Sequence, residues 1–198
     1  VVLNADYMEE TPLGRAEWIK FTAAFFDKEA EADSVFGKIE ENYLNLITKV
    51  QQLTALPTVY TGIVYGDVWY QPGGKSYAAQ FIKDAAGSYV WSHNKESGSL
   101  ALNFEEVYAQ AHGADYWIGV GSYNSLAEIR AQDPRYEKFG AFKEGNVYNY
   151  NARIGATGGN EFLELGYARP DMVLADLLHI LHPELFPEHQ LYFYKKLN

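Results

Sequence analysis

The run from Glu31 to Gln52 constrains this chain more than any other stretch. Ala32, Val35, Phe36, Ile39, Tyr43, Leu46, Ile47 and Val50 recur at steps of three and four, with Lys, Glu, Asp, Asn and Gln filling most positions between them. That spacing predicts one amphipathic helix. At a rise of 1.5 Å per residue it would reach roughly 33 Å, the width of a small domain, and Pro57 follows to stop it. The sequence after it, about 140 residues, is enough for one complete domain. The helix therefore reads as a bridge between two bodies, dividing the chain into 1–29, 30–56 and 57–198; periodicity alone also allows a long peripheral helix of a single domain.

Composition narrows the classes. With 47% hydrophobic and 16% aromatic residues the chain can bury a full core. Its formal charge is −10, its pI about 4.9, and it has no Lys/Arg-rich block, so a phosphate-backbone footprint is missing and nucleic acid is excluded as an expected partner. Without cysteine there are no disulfides, thiolate metal sites or Cys nucleophile, and the redox compartment stays open. No run is long and apolar enough for a membrane span, and no signal-like segment opens the chain. It begins on Val1 rather than Met, so a processed start or the interior of a longer protein is expected, with room for a targeting segment upstream.

In chain order, Val1 to Leu3 is a short apolar run whose brevity suits the last strand of a sheet lying mostly elsewhere. Thr11-Pro12 sets an N-cap with Pro at the first helical position. Trp18, Ile19, Phe21, Thr22, Phe25 and Phe26 then form an aromatic helix face ending near Asp27. One strand and one helix cannot bury such a face, so a partner domain or an oligomer contact is expected. Beyond the long helix, strands are predicted over Thr58–Val64, Ser88–Trp91, Tyr116–Val120 and Asn146–Tyr150. Helices are predicted over Ser76–Ala86, after the Asn103 cap, over Ser125–Ala131 and over Pro170–Leu181, with Phe139–Phe142 as a connector. Alternating strands and helices predict an α/β fold with a mainly parallel sheet flanked by helices.

Open parallel sheets bind ligands beyond the carboxyl ends of their strands. Here the loops leaving the strands carry Tyr65, Asp67, Trp69, Tyr70 and Pro72-Gly73-Gly74; then Trp91 and His93; then Ser122, Tyr123 and Asn124; then Tyr150, Asn151 and Arg153. Aromatics beside Gly and an Arg suit a flat or apolar ligand, though some could simply cover the sheet ends. Other constellations fall short. Gly74-Lys75-Ser76 ends like a phosphate loop, but the Gly needed five residues before Gly74 is Trp69, which rejects a nucleotide site. His179 and His182, near Glu184, Glu188 and His189, could ligate a metal but read more simply as cations at a helix C-terminus. Glu105 and Glu106 are adjacent on a helix and diverge, and no Ser-His-Asp or Gly-x-Ser-x-Gly arrangement occurs. The sequence calls for no enzyme, cofactor or bound metal.

Several segments carry a resemblance: Thr11 to Lys20, the long helix, Asp67 to Ser76 with Asp84-Ala85 and Gly87, Asn103 to Val107, Ala114-Asp115, Arg169-Pro170-Asp171 and His182-Pro183-Glu184. Together the chain resembles the helical-backbone (class III) substrate-binding proteins of ABC importers, in the Bacteroidetes-type form of iron-complex uptake. The resemblance implies two α/β lobes joined by one rigid helix. This chain would supply the end of the N-terminal lobe, the helix and the whole C-terminal lobe. It implies a periplasmic protein, lipid-anchored in full-length form, that takes a ferric siderophore, haem or cobalamin to an inner-membrane permease. Ligand contacts would be Trp69, Tyr70, Tyr123 and Arg153, and Glu105 would dock the permease. The rival reading is a carbohydrate-binding or glycoside-processing lobe stacking sugars on Trp69 and Tyr70, which needs two facing carboxylates where only Asp67 is evident. A zinc carrier would need His179, His182 and His189 to converge.

Overall fold

Thr11 is extended and Pro12 pre-sets the first helical φ, so α1 (Pro12–Ala23) starts there, with the Thr11 side chain accepting from the Gly14 N–H at 3.1 Å. The computed structural model describes all of residues 1–198. The long helix is α2 (Glu29–Thr48), and its buried residues Ala32, Phe36, Ile39 and Tyr43 form the expected stripe. It ends well short of Pro57. The Lys49 and Val50 N–H groups bond Leu46 and Ile47 three residues back, tightening the last turn, and Val50 is buried.

Five strands form the main sheet: β1 (Thr58–Thr61), β4 (Ser88–Tyr89), β6 (Tyr116–Ile118), β7 (Val147–Asn149) and β8 (Lys195–Lys196). Their order is β4-β1-β6-β7-β8, parallel except for the antiparallel β8 edge. Val59, Tyr60, Trp117 and Val147 are fully buried, as strands covered on both faces require. The flanking helices are α3 (Tyr77–Asp84), α4 (Phe104–Ala111), α5 (Leu126–Gln132), α6 (Gly140–Lys143), α7 (Glu161–Ala168) and α8 (Pro170–Leu181). Asn103 opens α4 with a capping box, exchanging bonds with Glu106, and α8 has the bounds expected from its Pro. The mainly parallel α/β fold is thus the observed one. The helix α2 packs on α1 and α8. It is also laced to the sheet domain by side chains: Tyr43 donates to Asp84 at 2.7 Å and Asn42 to Asp171 at 3.1 Å.

Three expectations need correction. Val1 to Leu3 forms no strand; it is exposed and irregular, since a strand needs a neighbour to take its backbone hydrogen bonds and neither sheet of the chain pairs with it. The first regular element is instead a 3₁₀ turn, Asp6–Met8. The loop after β1 is a second, antiparallel sheet of β2 (Val64–Tyr65), β3 (Val68–Pro72) and β5 (Ser99–Leu102), whose hairpin turns on Gly66-Asp67 with Gly66 at φ 62°. Phe139–Phe142, read as a connector, contains the short helix α6.

Candidate functional site

A crevice of about 310 Å³ lies beyond the carboxyl ends of β1, β6 and β7. Its floor is backbone. Gly62 and Gly119, the residues following β1 and β6, hold φ of 67° and 80°, and a Cβ on Gly119 would stand 3.0 Å from the Tyr150 ring. Only glycine lets the strands end here with an aromatic ring directly above them. The walls are Tyr70 from β3, Tyr77 from α3, Tyr150 after β7, Phe162 and Tyr167 from α7, and Tyr194 before β8. Tyr150 stacks on Phe162 at 4.6 Å, and Phe162 meets Tyr194 edge-on at 5.6 Å. None of the sixteen lining residues is charged.

Burial raises the phenols of Tyr77 and Tyr150 above the usual tyrosine value, and that of Tyr194 well above it, where the nearby Asp176 adds to the effect. At neutral pH the walls therefore offer apolar ring faces and protonated hydroxyls. Tyr194 is placed by Asp176, a fully buried carboxylate on α8. It accepts the backbone N–H groups of Tyr192, Phe193 and Tyr194 and lies 2.7 Å from His189 Nε2. Tyr70 is placed by alternation along β3. Its neighbours Trp69 and Gln71 point inward and are fully buried, both donating to the Thr61 carbonyl, at 2.9 and 2.6 Å, so Tyr70 is turned outward and 51% exposed.

A second basin of about 560 Å³ shares Tyr70, Pro72, Tyr77, Ala78 and Tyr167 with the crevice, and adds Arg15, Glu9, Glu10 and Ser97 to Ser99. The Arg15 guanidinium sits 3.6 Å from the Tyr167 ring centroid and 5.5 Å from that of Tyr77. The two hollows form one aromatic cleft at the strand ends, roofed from α1.

The profile of the family described as periplasmic binding protein matches residues 6–154. The chain belongs to this family. An uncharacterized lipoprotein of Methanocaldococcus jannaschii is 35% identical over the whole chain, which covers 46% of that relative. The chain spans about half the length of the curated relatives it matches. A periplasmic solute-binding protein from Veillonella parvula superposes with TM-score 0.68 at 14% identity, covering 92% of this chain and 54% of its own. IsdE of Staphylococcus aureus, solved with heme, gives 0.64 at 17%, covering 87% and 65%. A third solved neighbour, an ABC transporter substrate-binding protein from Listeria monocytogenes, superposes with TM-score 0.61 at 18% identity, covering 86% of this chain and 64% of its own. At these identities the solved structures show the fold.

In this periplasmic binding protein the expected contact residues do not all meet. Trp69, expected at the ligand face, is a core residue. Its ring is fully enclosed among Tyr60, Phe104, Trp117, Tyr136 and Phe139, because β3 alternation turns it away from the cleft. Tyr70 lines the crevice; Tyr123 and Arg153 do not. The Tyr123 carbonyl accepts from Asn149 and Asn151, pinning its loop, and Arg153 lies 4.0 Å over the Tyr192 ring. Glu105 is exposed in the first turn of α4, where it accepts from Arg135 at 2.9 Å. No carboxylate lines the crevice itself; the carboxylates of the joined cleft are Glu9 and Glu10 of the adjoining basin, and Asp67 lines neither.

The three histidines do not meet at one point: the His179 and His189 rings are neighbours, 5.8 Å between centroids, but His182 stands apart and each ring nitrogen that bonds faces another group. His179 Nδ1 lies 2.8 Å from the Phe186 carbonyl, His182 Nε2 lies 3.1 Å from that of Ala85, and His189 meets Asp176. In the Pro72–Ser76 run the Gly73 and Lys75 N–H groups are bonded to the Gly98 and Glu96 carbonyls, and a Cβ on Gly73 would clash with the Glu96 carbonyl oxygen. Those glycines serve close backbone packing.

Proposed function

We propose that this chain is the ligand-holding C-terminal lobe, joining helix and N-lobe end of a solute-binding protein for an ABC importer, and that its cargo is an iron chelate, haem or a related macrocycle such as cobalamin. One observation supports this above the rest: an uncharged, tyrosine-walled crevice over glycine floors at the ends of parallel strands. Its size falls in the range of small-molecule sites, roughly 300–1,000 Å³. Apolar ring faces with neutral hydroxyls suit a flat or aryl-bearing body better than a small hydrated ion.

On this reading residues 1–29 end the N-terminal lobe, 30–56 form the joining helix and 57–198 the C-terminal lobe. The exposed Glu105 would meet basic residues of a permease. No helix of the chain is long and apolar enough to cross a membrane. The lipoprotein name of the relative favours a lipid anchor carried by the full-length protein outside the membrane. Tyr70, Tyr77, Tyr150 and Tyr167 are the proposed ligand contacts, in place of Trp69.

The test is a tryptophan-fluorescence titration with ferric siderophores, haemin, cobalamin and a set of oligosaccharides, on wild type and on Tyr70→Ala and Tyr150→Ala. Saturable quenching by one chelate or macrocycle, weakened about tenfold by each substitution, is the expected result. Response to sugars alone would replace the cargo class, and response to none would remove the reading.

A further inference from the structure

We propose that a separate cavity, at the seam between α2 and α8, is a site for a small monocarboxylate on an apolar or aryl body. It holds about 320 Å³ and shares no lining residue with the crevice or its adjoining basin, so it is independent of the cargo reading. Its floor is apolar, made by Leu46 of α2 with Met172 and Ala175 of α8. The Tyr192 ring adds an aromatic wall, held by the Arg153 guanidinium 4.0 Å from its centroid.

The charge of this cavity follows from which groups are already spent. Asp171 is the one carboxylate in the lining, and both its oxygens are taken. Arg169 Nε donates to Oδ1 and Arg169 Nη2 to Oδ2, each at 2.8 Å, and Asn42 Nδ2 donates to Oδ2 at 3.1 Å. Lys49 is the one lysine or arginine there, and it pairs with no carboxylate; its ammonium meets only the Phe186 ring, 5.7 Å to the centroid. Asn45, one turn before it on the same side of α2, has an unbonded side-chain amide. The first turn of α8 brings the positive end of its dipole, which offsets the negative end of α2. An unspent cation and amide beside an apolar floor, with no unspent anion, favour a carboxylate over an amine, a zwitterion or a neutral amide.

His189 is set in advance. Its Nε2 donates to the fully buried Asp176 at 2.7 Å, which fixes the ring and leaves Nδ1 without a protein partner. This polar edge needs no ordering when a ligand arrives. A molecule bound here touches both helices and so fastens the joining helix to the sheet domain, adding to the Asn42–Asp171 bond.

Sodium benzoate, benzamide and benzylamine share one ring and differ in charge, and each is titrated into the ¹⁵N-labelled chain by NMR. Benzoate should shift the amides of residues 42–49, 171–175 and 189–192 saturably and bind about fivefold tighter than benzamide, while benzylamine should not saturate. Lys49→Gln should bring benzoate down to the benzamide affinity with the same amides shifting. Ala175→Leu, which fills the floor, should weaken both by about tenfold. Tyr150→Ala, in the crevice, should change neither.

Equal affinity for benzoate and benzamide, or a benzoate preference surviving in Lys49→Gln, overturns the charge reading and with it the ligand class. Shifts centred on Tyr70, Tyr150 and Phe162 and lost in Tyr150→Ala put the binding in the crevice and overturn the second site. So does failure of benzoate to saturate. Inorganic phosphate binding as tightly as benzoate overturns the need for an apolar body.

Discussion

Helices α1 and α8 are each twelve residues long and each opens with Pro at its first position, yet α8 buries nine residues and α1 three. The difference is not in helix-forming chemistry. It is in what lies alongside: α8 packs on α2, α3 and α7, whereas the aromatic side of α1 meets little beyond its own rings. Trp18, Phe21 and Phe25 stack edge-to-face on one another, with Phe21 40%, Phe25 57% and Phe26 69% exposed. A face of this kind belongs against another body. In the two-lobed proposal that body is the remainder of the N-terminal lobe in the longer protein, and α2 is the member common to both regions.

The comparison can be broken by mutation. Leu178→Ala, at a fully buried α8 position, should cost about 2–5 kcal/mol by urea denaturation through lost burial and the cavity left behind. Phe25→Ser with Phe26→Ser should stay within about 0.5–1 kcal/mol each in this chain, because both rings are mostly exposed and Phe25 meets Phe21 only edge-on. In a longer version that restores the preceding sequence, the same pair should become costly, by about 2 kcal/mol or more. A pair equally silent in both versions would mean that no lobe covers α1.

A smaller effect sharpens the α8 side. Asp176→Asn keeps the shape of a fully buried side chain but trades a carboxylate oxygen for an NH₂ facing N–H donors, so the Tyr192–Tyr194 backbone loses acceptors. The expected loss is about 2–3 kcal/mol, with Tyr194 released from the crevice wall. Ligand affinity falling together with stability would tie the C-terminal segment to the site. Stability falling alone would make Asp176 a matter of fold only.

How much of this was legible follows from where each signal lives. Caps and Pro starts are local chemistry, so Ser76, Asn103, Ser125 and Pro170 marked their helices to within a residue or two. The parallel sheet followed from the alternation of elements. The second sheet was hidden behind a local signal passed over: Gly66-Asp67 between β-branched and aromatic runs is a hairpin pair. Trp69 and Tyr70 look alike in sequence, and period-two alternation says only that they face opposite ways; burial against Trp117 and Phe139 decides which faces the core. The crevice walls come from positions 70, 77, 150, 162, 167 and 194, on elements that only the topology brings together. Tyr77 falls within the helix expected after Ser76 without being singled out, Tyr167 sits on α7, which the pattern did not mark, and Arg15 stands only within the Thr11 to Lys20 segment. No spacing rule could have joined them.

The smallest expected effect lies on the seam between the two regions, where Tyr43 of α2 donates to Asp84 of α3 at 2.7 Å. Burial raises the Asp84 carboxyl above its usual value, outweighing the bonds from Tyr43 and Gln80 that lower it. The folded state thus holds this proton to higher pH than the unfolded state does. The stability it contributes is full below the ordinary carboxylate value and is lost as pH rises through the raised folded value. Asp84→Asn keeps an oxygen to accept from Tyr43 and removes the titration. Urea midpoints measured from pH 4 to pH 7 should therefore decline less steeply for the variant than for wild type. Parallel declines would mean that Asp84 titrates alike in both states and that the seam is held by packing of Tyr43 on Phe81, 6.3 Å between ring centroids, rather than by this hydrogen bond.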